Sequence, residues 1–196
     1  MKNNRLNLKA ENSLQKIQKI QDMNQKIAFY AERASDWNHY SKIINELINV
    51  HKIDIYYITS DYADPLLSNK NKNILAYYIG YDEIRTIFFQ TLQFKVFVTT
   101  VPDLGKFNFT RSPYDVHYAY VFSSLVSIHM GYMHDAFDNY DSVLCLGQHQ
   151  HNELKVLEQH YGLKQKEIVE CGYGNLENII DTFDKESKNV KKNQQD

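Results

Sequence analysis

Ser123, Ser124 and Ser127 lie within six residues of His129, so hydroxyls and an imidazole share one short stretch. Such a stretch suits nucleophilic or general-base chemistry, in which a base takes the proton of an attacking hydroxyl. It contains no Gly-x-Ser-x-Gly elbow, which argues against the hydrolase arrangement. Asp135, Asp138 and Asp141, set around Phe137 and Tyr140, read either as acid–base groups or as caps in a solvated loop. Gly172-x-Gly174 either brings backbone N–H groups to a phosphate or makes a tight turn. The third glycine of the dinucleotide fingerprint and the lysine of a P-loop are missing there. His149 and His151 resemble a metal pair, but two residues apart at a helix start they point away from each other. No cysteine or carboxylate completes a ligand set, so neither a metal site nor a cofactor is expected.

The elements that must hold these residues follow from periodicity. Leu14, Ile17, Ile20, Met23, Ile27 and Tyr30 recur every three or four positions, which predicts one amphipathic helix over 10–33. Residues 1–27 carry six basic and two acidic side chains, so this helix either packs on its own domain or meets an anionic membrane surface or partner domain. Ser35 or Asp36 caps a second helix over 37–50. Strands are predicted over 53–60, 74–79, 94–100, 116–122, 142–146 and 168–171, with helices over 82–90, 149–161 (closed by Gly162) and 175–183. Short apolar strands alternating with helices predict a mainly parallel α/β sheet covered on both faces, with ligands at the carboxyl ends of its strands. The implied organisation is an amphipathic helix at 1–34, the sheet domain at 35–183 and a disordered tail at 184–196.

Composition narrows the classes. Over 196 residues, 22 Lys+Arg face 24 Asp+Glu, which disfavours a protein that wraps nucleic acid by charge. Fifteen Tyr and ten Phe against three Pro and seven Gly disfavour a loop-rich all-β chain. Two cysteines, Cys145 and Cys171, fit buried thiols in a reducing compartment better than a disulfide framework. Neither a membrane span nor a signal peptide is legible, so a cytoplasmic protein is expected.

Several motifs occur in a fixed order. They are Thr100-x-Pro102-Asp103-Leu104, Arg111-Ser112, Tyr118-x-Tyr120-Val121-Phe122 and Ser124-Leu125-Val126-Ser127-x-His129-Met130. Ala136-Phe137-Asp138-x-Tyr140-Asp141, Cys145-x-Gly147-x-His149, Glu153, Glu158, Tyr161-Gly162-Leu163 and Gly172-Tyr173 follow. Upstream stand Tyr30-x-Glu32, Trp37, Tyr57-x-Thr59-Ser60 and Asp64-Pro65. Across residues 28–180 this order resembles the CDP-glycerol glycerophosphotransferase family, which makes teichoic-acid-like polymers and capsules.

The resemblance implies the N-terminal, Rossmann-like domain of a GT-B enzyme, which contributes acceptor and catalytic groups while a C-terminal domain holds most of the CDP-glycerol. The implied partners are CDP-glycerol, a glycerol-phosphate polymer or lipid-linked acceptor, and the inner face of the cell membrane. Turnover is expected only with a C-terminal half; the alternative is a non-catalytic acceptor-binding or scaffold protein. By the same resemblance His129, Asp103 and Asp141 are the catalytic candidates. Arg111 would meet phosphate or an anionic acceptor. Ser123, Ser124, Ser127, Gly172 and Tyr173 would donate hydrogen bonds to substrate. Ser123 stands where relatives carry the histidine favoured as general base, and a serine hydroxyl cannot do that work near neutral pH. Thr110 and Asn175 likewise stand where cations are usual.

Overall fold

The computed structural model describes residues 2–193. In chain order these form α1 (Lys2–Ile17), β1 (Ile27–Ala31), α2 (Trp37–Asn49), β2 (Ile55–Thr59), β3 (Ile74–Tyr78), α3 (Glu83–Thr91), β4 (Val96–Thr99), β5 (His117–Val121), α4 (Ile128–Gly131), β6 (Ser142–Cys145), α5 (Gln148–Tyr161), β7 (Glu167–Glu170) and α6 (Gly174–Asn193). The seven strands make one sheet in the order β3-β2-β1-β4-β5-β6-β7, and every pairing is parallel. This is a doubly wound, Rossmann-like α/β fold. Its strand order reverses between β1 and β4, where Phe29 lies opposite both Tyr57 and Val98.

Both faces of the central strands are buried, as parallel sheets require. On one side Leu14, Phe88, Phe89 and Leu154 close over Tyr30, Phe97, Tyr118 and Tyr120. On the other, Tyr40, Ile44 and Ile48 of α2 cover Phe29, Tyr57 and Val98.

The N-terminal helix is shorter than its periodicity predicts. It ends at Ile17, Asp22 turns left-handed (φ 52°), and residues 27–31 are β1, a central strand. A doubly buried strand does not alternate, and here two of its apolar residues fall on the helical spacing set by α1. Ala28, Phe29 and Ala31, which that stripe leaves unassigned, are fully buried. The apolar face of α1 is used within the domain, since Ala10, Leu14 and Ile17 are all buried. Among the described residues no helix is long and apolar enough to cross a membrane.

Two smaller expectations also change. Asp36 caps backward: its Oδ2 accepts the N–H groups of Glu32 (2.8 Å) and Arg33 (3.1 Å), not those of α2. The tail expected to be disordered continues α6 to Asn193, because a nucleated helix propagates through Lys, Glu and Asn without an apolar stripe. Residues 194–196 of that expected tail lie outside the described residues.

Candidate functional site

Parallel strands send every strand-to-helix loop to the same rim of the sheet. A buried chain of hydroxyls fixes that rim. Tyr40 donates to the Tyr30 carbonyl (2.7 Å) and accepts the Thr100 N–H (2.8 Å), joining the ends of β1 and β4. Tyr30 Oη lies 2.8 Å from Ser60 Oγ, which donates to the Gly80 carbonyl (2.6 Å) and extends the lacing to β2 and β3. Burial pushes the Tyr30 hydroxyl up to about 12 and Tyr40 in the same direction, so both stay neutral cross-links.

The switch between β1 and β4 opens into a cavity of about 200 Å³, lined by Tyr30, Glu32, Arg85, Asp103, Lys106 and Phe109 among others. Arg85 pairs with Glu32 at 3.1 Å, and its Nε is buried without a partner among the described residues. Lys106 bridges Asp103 (2.9 Å) and Asp135 (2.5 Å). Hydrogen bonds to Asp135 and Asp103 hold its ammonium above the usual range. The loop carrying these groups is tightly wound, with left-handed φ at Asp103 (62°), Gly105 (94°) and Phe107 (51°). A bulky residue there is strained, and the Phe107 ring is 91% exposed at the mouth of the crevice.

A second cluster follows β5. Ser127 Oγ donates to Glu153 Oε1 (2.5 Å) and lies 2.9 Å from His129 Nδ1. With the hydroxyl proton committed to Glu153, the serine oxygen accepts from Nδ1–H, which leaves Nε2 as the basic nitrogen. Glu153 also accepts the Ile128 N–H (2.5 Å) and so pins the start of α4. Burial works to raise the Glu153 carboxyl, but bonds from Ser127, Ile128 and His129 outweigh it and hold the carboxyl below its usual range. Replacing Glu153 by alanine is expected to destabilise the fold by about 1–3 kcal/mol in urea unfolding, because it strips a part-buried amide of its acceptor.

The third group joins β5 to β7. Tyr173 donates to the Ser123 carbonyl (3.2 Å), and its ring stacks on His39 at 6.0 Å. The backbones of Ser124 and Val126 are held by Gln150 Nε2 (3.0 and 3.1 Å). Thus Asp103, Ser123, Ser124, Ser127, Gly172 and Tyr173 belong to rim loops and His129 to the short α4 that follows β5, in three separate clusters.

Arg111 and Asp141 do not join them. Asp141 immediately precedes β6 and accepts the Tyr118 N–H (2.9 Å), while Arg111 reaches the Val116 and Asn139 carbonyls, all at the opposite edge of the sheet. The two side chains pair with each other at 3.0 Å, and the guanidinium lies 4.6 Å from the Tyr118 ring centroid. Burial works to raise the Asp141 carboxyl, yet the Tyr118 amide and Arg111 outweigh it and hold it below the usual range. A depressed carboxyl stabilises the fold above its unfolded pKa, and that contribution fades as the pH falls through the folded value. Asp141→Asn is therefore expected to lose about 1–3 kcal/mol at pH 7, with the gap in urea midpoints closing below about pH 4. A gap that stays constant with pH would contradict the clamp.

A cavity of about 750 Å³ between α1 and the starts of β1, β4 and β5 also lies at that opposite edge, away from the rim. Among the described residues no group of three or more His, Cys, Asp or Glu is placed to hold a metal ion. Sequence reasoning gave no role to Arg85, Lys106 or Tyr40. Their signal was position: Tyr40 is in the first turns of the helix after β1, and Lys106 is in the loop after β4.

No family model, curated protein or solved structure matches the chain. Fold and rim therefore define the class: a doubly wound parallel α/β domain with a charged crevice at its switch point.

Proposed function

We propose that the chain forms the acceptor-side half of a glycerophosphotransferase, moving glycerol phosphate from CDP-glycerol to a polymer or lipid-linked acceptor at the cytoplasmic membrane face. A C-terminal half would supply the nucleotide site. In this reading an acceptor hydroxyl attacks the β-phosphorus, the bond to the bridging oxygen breaks, CMP leaves, and the hydroxyl proton passes to a base. Phosphoryl transfer depends mainly on positioning and on neutralising charge, which suits a rim of fixed donors and cations. The observation that carries the reading is the ordered motif series, whose Asp103, Ser127 and Tyr173 are on rim loops and whose His129 is in the short α4 beside them. Arg85 and Lys106, beside the crevice, take the place of Arg111 as the cations nearest a bound phosphate.

One observation favours a second reading, an acceptor-binding module without chemistry. Lys106 is shared by two carboxylates and Arg85 is paired with Glu32, so both cations already have counter-charges. The two readings separate in one assay of CMP release from CDP-glycerol, run with the purified chain alone and with a C-terminal half added. The transferase reading expects release only from the mixture. Binding of a glycerol-phosphate oligomer with no release from either sample would leave the module reading standing.

A further inference from the structure

A parallel sheet is stable in water when both faces are covered. The face that carries α2 is covered unevenly here. Beside α2 an apolar groove of about 400 Å³ runs over β4, β5 and β6, lined by Val96, Val98, Ala119 and Leu144 and bordered by Ile43 and Leu47 of α2. Among the described residues no helix closes it.

On the same face lies a helix turned the wrong way out. Leu176, Ile179, Ile180 and Phe183 of α6 follow the i, i+3, i+4, i+7 spacing and form one narrow stripe. They are 47%, 57%, 51% and 67% exposed. α6 holds its own domain with the opposite side. Asn178 Nδ2 donates to the Asn38 carbonyl and to Ser41 Oγ, both at 3.2 Å, and Asp181 pairs with Lys42 at 2.6 Å. The stripe therefore cannot reach the groove of its own chain while those contacts stand.

We propose that two copies of this chain pair face to face, the α6 stripe of each seating in the sheet groove of the other. Stripe and groove occupy the same side of the sheet, so a single two-fold axis serves both contacts, as an isologous dimer requires. Charge agrees with this occupant. Asp181 and Glu177 act on Lys42 of their own domain, which leaves Asp184 and Glu186 against Lys185 up to residue 186, while Lys95 and His117 line the groove. Lys95 is otherwise paired with Asp115, a 98% exposed carboxylate that it can exchange at little cost. The pairing stands whether or not the transferase reading holds.

Sedimentation equilibrium of the full chain tests it. The expected species is a reversible dimer, twice the 23.1 kDa of one chain. Ile180→Lys combined with Phe183→Lys, both exposed and so compatible with folding, should weaken the dimer about thirtyfold or more with an unchanged circular dichroism spectrum. Leu144→Glu should do the same from the groove side. Should that variant not fold, the exposed Lys95→Glu replaces it, with a smaller loss of affinity expected. Mixing a helix variant with a groove variant should restore part of the association, because the mixed pair keeps one intact seat of two. A chain that stays monomeric at all concentrations, or a dimer indifferent to both sets of substitutions, overturns the proposal.

Discussion

Phe97→Ala is expected to remove about 3–5 kcal/mol from the unfolding free energy and to lower the melting temperature by roughly 6–20 °C. Phe97 is fully buried on β4, next to the switch point. Its ring centroid lies 5.6 Å from Tyr118 and 6.2 Å from each of Tyr30, Phe88 and Phe89, so one truncation leaves four aromatic neighbours facing a void. Those neighbours come from β5, β1 and α3, and the dense packing among them limits how far the site can collapse. Phe97→Leu, which refills most of the volume, should cost a fraction of that. Urea midpoints with an unchanged m-value are the appropriate measurement. A loss under about 1 kcal/mol for the alanine variant would mean that this cluster does not hold the sheet. The same cluster sets the crevice: Tyr30 laces β1 to Ser60, and β4 runs directly into the Thr100–Asp103 loop.

Most of the sheet was legible because its strands are β-branched and aromatic runs cut by polar loops. The stretches 53–60 and 142–146 match β2 and β6 apart from fraying at their ends. β1 was hidden for a physical reason: a strand buried on both faces carries no period of two, and its apolar residues continued the spacing of α1. The strand pattern alone implies that Asp141, and the Arg111 it pairs with, lie away from the rim. In a parallel sheet, residues that lead into a strand and residues that leave it are at opposite edges, and Asp141 leads into β6. Membership of one motif run says nothing about which edge a residue occupies. The Ser127–His129–Glu153 cluster needed tertiary structure, because Glu153 arrives from α5, 24 residues beyond the histidine. The outward stripe of α6 is visible in the sequence as a period, but its direction depends on Asn178 and Asp181 having claimed the contact with α2.

On the proposed transferase reading, His129→Ala is expected to reduce CMP release in the mixture with an added C-terminal half about 100- to 10,000-fold, the usual worth of a positioned general base. The expectation rests on proton placement. Ser127 donates its hydroxyl hydrogen bond to Glu153 and accepts from Nδ1, so the imidazole is held in the tautomer whose Nε2 can take a proton. Glu153 Oε2 lies 3.5 Å from Nδ1 and is placed to stabilise the imidazolium that would form. The His129 side chain is 68% exposed, so its removal should leave the unfolding midpoint within about 0.5 kcal/mol of the parent and separate chemistry from stability. His129→Gln keeps a hydrogen-bonding side chain without a basic nitrogen and should be as inactive as the alanine variant. Ser123→Ala should cost a few-fold at most, because a hydroxyl with no accessible protonation equilibrium is not the base and its backbone carbonyl, not its side chain, holds Tyr173. If Ser123→Ala abolished release while His129→Ala spared it, the base would lie elsewhere on the rim and the tautomer argument would fail with it.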